Sequence, residues 1–336
     1  MGWPEDRNTR HWLESRGRYP RWRFRSTSSG AHQGARIVNA EGTARVEHIK
    51  ENGKALPWFQ RFAWPFVIAG GVLSYVALLL VMVLTRNPAL FPALLVVGAL
   101  TTPLAVLLFA MTGRYRTLAP PSLIVMTVLV GGVVGIIGAG LLEGIAGAFG
   151  MESVLLVAIV EETVKLIVPL VVLILAYPMT AFGGVAVGVA SGTGFAVLET
   201  MGFGFVALLE RGGGIEAVDS VLLLRGVLAP AGHVAWTGLV CAALWGMRSW
   251  RNPALGILAV LGAYLSVIVL HAGWDTALSE GPHVLIGLLS VAALITVTLL
   301  AKRRATRTQD AVGPVAERVL SKTMDHGPTE TELKQE

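Results

Sequence analysis

From about Phe62 to Leu300 the chain is a succession of apolar runs separated by short polar or turn-prone breaks. The runs are Phe62–Thr85, Ala89–Thr112, Leu123–Leu142, Ser153–Tyr177, Ala181–Leu209, Ser220–Met247, Ala254–Leu278 and His283–Leu300. About 20 apolar residues in a helix cross the hydrocarbon layer of a bilayer, so each run is long enough to be a membrane span. Breaks fall at Arg86-Asn87-Pro88, Gly113 to Ser122, Glu143 to Glu152, Glu210 to Asp219, Arg248 to Pro253 and Ser279 to Pro282. The stretch from Ser153 to Leu209 is too long for one span and is expected to turn near Pro178. The pattern predicts an all-α, polytopic transmembrane helix bundle of about eight spans.

Composition agrees with the pattern. The 336-residue chain is 54% hydrophobic and only 15% charged, where soluble domains carry about 25% charged residues. The polar remainder lies at the ends, which divides the chain into a basic, largely disordered arm (1–60), a transmembrane domain (61–300) and a polar tail (301–336). The net charge of +5 comes largely from Arg16, Arg18, Arg21, Arg23 and Arg25 in the arm, and from Lys302, Arg303, Arg304 and Arg307 after the last span. Clusters in those places mark cytoplasmic flanks of membrane helices rather than a nucleic-acid surface. An even number of spans keeps both ends on one side. Arg114, Arg116, Arg248 and Arg251 share that side, so the positive-inside rule makes both termini cytoplasmic in a multi-pass cell-membrane protein. Cys241 is the single cysteine, which rules out an internal disulfide, and no apolar stretch precedes Phe62 to act as a cleavable signal.

Seven titratable residues interrupt this apolar plan: Glu161, Glu162, Lys165, Glu199, His233, His271 and Asp275. Each acid or base near the centre of a span costs about 2.5–3.5 kcal/mol to insert, and the set on the order of 10 kcal/mol, unless its members pair. Their spacing allows pairing. Glu161 and Lys165 are four residues apart on one helix face, and Glu162 lies three before the lysine. Phe195 and Glu199 share a face in the next span, and His271 and Asp275 do so later, where the carboxylate can orient the imidazole. With cytoplasmic termini, Glu161 lies about nine residues, roughly 13 Å, from the outer end of its span. The others fall at comparable depth, with His233 near the middle of its span. Two carboxyls in unequal surroundings beside imidazoles suit general acid–base work. Proton-coupled transport or a proton-relay channel is the alternative, although the acidic motifs occupy one half of the chain with no sign of an internal repeat. Arg225, Asp219 and Glu210 read as interfacial groups. Ser191 has no base at helical spacing that would make it a nucleophile.

The ordered set Glu-Glu-x-x-Lys, Phe-x-x-x-Glu, a lone intramembrane His and His-x-x-x-Asp resembles the PrsW family of intramembrane proteases, over roughly Ser153 to Leu278. The resemblance implies cleavage of a peptide bond in a membrane-associated protein, which for the family's prototype is an anti-sigma factor. On that basis all seven residues are candidate site residues. Glu161 would be the base for the attacking water and Glu162 its helper, and Lys165 would hold their charge. His271, oriented by Asp275, would contact the water or the oxyanion, and Glu199 and His233 would complete the pocket. The metal question stays open. The family is often labelled metallopeptidase, and His233, His271, Glu199 and Asp275 are ligand types for zinc. The absence of any His-Glu-x-x-His helix favours chemistry with no cofactor.

Overall fold

The computed structural model describes residues 57–112, 119–175, 180–210, 213–250 and 252–325; the arm up to residue 56, the end of the tail and the turn expected at Pro178 lie outside the described residues. Among the described residues, ten helices of eight residues or more carry the fold: α1 (Ala63–Thr85), α2 (Phe91–Met111), α3 (Pro121–Ala148), α4 (Val154–Lys165), α5 (Ile167–Ile174), α6 (Ala181–Leu209), α7 (Ile215–Leu228), α8 (His233–Gly246), α9 (Pro253–Thr276) and α10 (Glu280–Asp325). Among the described residues, seven helical segments are long and apolar enough to cross a membrane, with α7 and α8 together forming one of them. The eighth expected span is α4 and α5 in tandem, interrupted at Leu166. The chain is therefore a multi-pass helical membrane protein, as the apolar runs predict.

Helix ends follow local chemistry. The side chains of Asn87 and Asn252 accept from the backbone N–H groups of Ala89 and Ala254, both at 3.0 Å, and Ser153 accepts from Leu156 N–H at 3.1 Å to open α4. Such caps satisfy donors that a helix start leaves without partners. Two boundaries differ from expectation at the carboxyl-terminal side of an element. Glu143 opens no loop, because α3 continues to Ala148. The last helix runs past Leu300 to Asp325, since the polar residues there are good helix formers.

Helix α6 lies at the centre, nearly every residue from Phe182 to Ala196 being buried. Its glycines explain why. A Cβ on Gly184 would meet the Trp245 side chain at 2.7 Å, one on Gly188 would meet Thr237 O at 2.5 Å, and one on Gly192 would meet His233 O at 2.5 Å. Successive four-residue steps thus put one bare stripe against α8. On another face Gly194 meets α3, where a Cβ would lie 2.0 Å from Val128 O. In a bilayer the hydrophobic effect cannot drive helices together, so close approach through small residues supplies the contact.

Two polar clasps tie outer helices to one another. Tyr75 on α1 donates to Asp219 on α7 at 2.5 Å, so Asp219 takes part in a helix–helix contact. The Lys302 ammonium on α10 donates to Phe109 O on α2 and sits 4.0 Å above the Phe109 ring.

Candidate active site

Two helix breaks shape the site. Pro169 lies four residues after Lys165, where its ring collides with the Lys165 carbonyl and its missing N–H cannot bond to it. The helix accordingly breaks at Leu166, just beyond the Glu-Glu-x-x-Lys run. The second break is the short 3-10 turn Ala229–Ala231, containing Pro230, followed by Gly232. His233 is therefore the first residue of α8, and it lies near the middle of the Ile215–Gly246 span, as expected.

The breaks bring the acids, imidazoles and ammonium together. Lys165, wholly buried, donates to Glu162 Oε1 at 2.8 Å and Glu161 Oε2 at 3.3 Å, and its Nζ lies 2.5 Å from His233 Nδ1. The ammonium also sits 4.3 Å from the Phe195 ring centre, so the aromatic face serves the charge from the fourth side. Glu162 Oε1 contacts His271 Nδ1 at 2.9 Å, and His271 Nε2 lies 3.3 Å from Asp275 Oδ2 and 3.7 Å from Glu161 Oε2. His233 Nε2 meets Glu199 Oε2 at 2.9 Å. All seven residues singled out in the sequence thus fall in one connected network. Buried charges are tolerated when paired in this way.

The two glutamates differ in access. Glu162 is 1% exposed and engaged by Lys165 and His271, whereas Glu161, 8% exposed, lines an open cavity of about 510 Å³. The cavity is also bounded by Glu199, His233, His271 and Asp275.

Several residues of the site were not singled out in the sequence. Arg225, expected at the interface, instead lines the cavity, with Nη2 2.7 Å from Glu199 Oε2 and its guanidinium 4.0 Å over the Phe203 ring. The cause is the start of α7 at Ile215, which sets Arg225 about ten residues, roughly 15 Å, along the helix. Glu143 reaches the same cavity from α3, with a buried Oε1 that has no hydrogen-bond partner among the described residues. Trp236 stacks on His271 with ring centres 4.9 Å apart, while its indole N–H donates to the buried Ser290 hydroxyl at 2.9 Å. Position three after His233 places Trp236 on the same face of α8; that the face meets His271 depends on interhelical packing, which spacing alone does not give.

The network lies inside the stretch from 119 to 301 that matches the model of the PrsW family intramembrane metalloproteases, more than half of the chain. The protein belongs to the PrsW family. It is an intramembrane protease. No curated protein and no solved structure matches the chain.

Because PrsW proteins are named metalloproteases, the donor set is tested against a metal. Glu161, His233 and His271 each offer one ligand atom, and the three atoms lie within 4.8 Å of one another. Two imidazoles and a carboxylate, leaving a fourth position open, are the ligand types and number of a catalytic zinc site. The set fits. Of the four ligand types expected from sequence, His233 and His271 belong to this group; Glu199 meets His233 and Arg225, and the carboxylate within the group is that of Glu161.

Proposed function

We propose that this PrsW protein hydrolyses a peptide bond of a membrane-anchored protein in the cavity bounded by Glu161, Glu199, His233 and His271. The observation that carries the reading is the unequal placement of two adjacent carboxylates: Glu161 faces the cavity and Glu162 is buried behind it against Lys165 and His271. Glu161 takes a proton from water as the water oxygen attacks the substrate carbonyl carbon. Lys165 holds the paired carboxylates in place, and His271, fixed by Glu162 at Nδ1, turns Nε2 toward the water and the developing oxyanion. Collapse of the tetrahedral intermediate breaks the C–N bond, and the proton taken by Glu161 passes to the leaving amine. The products are a new carboxylate and a new amino terminus. General acid–base help of this type contributes about 10²–10⁴-fold, and oxyanion contacts a comparable factor. Were zinc held by Glu161, His233 and His271, it would supply a more acidic water and a Lewis acid, and Glu161 would then serve as a ligand instead of the base.

The substrate class follows from the location. A cavity among apolar helices takes a segment drawn from a bilayer, and a single-span protein, of which an anti-sigma factor is one kind, satisfies that condition. Purified protein in detergent is expected to cut single-span substrates, with Glu161→Gln and His271→Ala each slowing cleavage by at least about 100-fold. Wild-type rates from both variants would overturn the assignment.

From the charge bias of the loops we further propose that both termini lie on the cytoplasmic side of the cell membrane. A cysteine introduced at Asn87 is expected to react with an impermeant thiol reagent added to intact cells, and one at Trp250 only after permeabilisation. Labelling of the second in intact cells reverses the orientation.

A further inference from the structure

Ser191 lies wholly buried on α6 and has no place in the hydrolytic steps above. Its hydroxyl donates to the carbonyl of Lys165 at 2.7 Å. That carbonyl is the one that Pro169 deprives of its helical partner, because a proline has no N–H to return to the residue four before it. A buried carbonyl left unpaired costs free energy comparable to a lost hydrogen bond, so the position of the break depends on a donor from elsewhere. Ser191 is that donor. Room for it is provided by Gly131 on α3, where a Cβ would lie 2.8 Å from Ser191 Oγ.

We infer that Ser191 and Pro169 form a positioning device for the active site: Pro169 opens the helix below Lys165, and Ser191 holds the freed carbonyl so that the ammonium stays between Glu161, Glu162 and His233. The inference rests on the hydrolytic reading of that network and adds two residues to it, neither of which touches the reacting atoms. The consequence is specific. The hydroxyl of Ser191 is needed only while residue 169 lacks an N–H. With an alanine at 169 the Lys165 carbonyl can regain a partner within the helix, and the serine becomes dispensable.

The test is a double-mutant cycle of Ser191→Ala and Pro169→Ala in the full chain. Two readouts are followed: the Nζ magnetic-resonance signal of Lys165, assigned through Lys165→Arg, and kcat and KM for a cleaved single-span substrate. Ser191→Ala alone is expected to shift the Nζ signal and lower kcat by about tenfold to 100-fold, with KM within about threefold. In the Pro169→Ala background the same change is expected to leave both readouts within about threefold of Pro169→Ala alone. Equal losses in the two backgrounds, or an unshifted Nζ signal in Ser191→Ala, overturn the inference. Failure of the hydrolytic reading looks different: Glu161→Gln cleaves as well as wild type while the Nζ signal still follows the cycle.

Discussion

Lys165→Met is expected to lower the unfolding free energy by about 3–5 kcal/mol, because it removes one partner of a buried ionic group and leaves the others unpaired. The ammonium is fully buried, lies 2.8 Å from Glu162 and 3.3 Å from Glu161, and is the only lysine or arginine paired with both carboxylates among the described residues. Without it, Glu162 retains His271 at 2.9 Å, but two adjacent carboxylates face each other in a nonpolar surrounding. The companion change separates charge from packing. In Glu162→Gln/Lys165→Met the acid is neutral as well, so the double variant is expected to unfold at a higher temperature than Lys165→Met alone. Thermal unfolding in one detergent, followed by tryptophan fluorescence, reads the difference. A double variant no more stable than the single one contradicts the pairing.

The second large effect is expected at a residue with no chemistry of its own. Gly192→Val places a branched side chain where even a Cβ would lie 2.5 Å from His233 O and 2.9 Å from Val234 Cα. Those atoms belong to backbone and cannot swing aside, so the start of α8 must move away from α6 and carry His233 from Glu199 and Lys165. A displacement of about 1 Å in a catalytic constellation costs on the order of 100-fold in rate, and kcat/KM is expected to fall by at least that much. Gly202→Ala on the same helix is the control. Nothing lies within 4 Å of its added Cβ, and its activity should stay within about twofold of wild type. Equal activity of the two variants would falsify the close approach as the element that sets His233.

These two sites show what the sequence makes legible and where it stops. Apolar run length identified the spans, since a bilayer demands about 20 apolar residues whatever their packing. Four-residue spacing identified the Glu161–Lys165 pair, since an α-helix imposes it. Gly184, Gly188 and Gly192 recur at the same interval, which marks the face by which α6 packs against α8. Helix breaks were harder to read. Pro169 and Pro230 are visible, yet an apolar run with an internal proline still reads as one span, so the starts of α5 and α8 emerged only with the structure. Partner choice between helices was not legible. Arg225 reaches Glu199, and Trp236 reaches His271, through crossing geometry that no local pattern encodes. Glu143 was hidden for a simpler reason: an acid followed by glycines resembles a loop, whereas α3 continues through it.

The central claim is that Glu161, facing the cavity, activates water for peptide-bond hydrolysis. Purified protein is incubated with a single-span substrate in heavy-oxygen water, and the fragments and the enzyme are weighed by mass spectrometry. Wild type is expected to give fragments whose new carboxyl group carries one heavy oxygen, with no adduct on the enzyme, and Glu161→Gln almost no fragments. Fragments from Glu161→Gln at the wild-type rate, or an acylated enzyme, would contradict the claim.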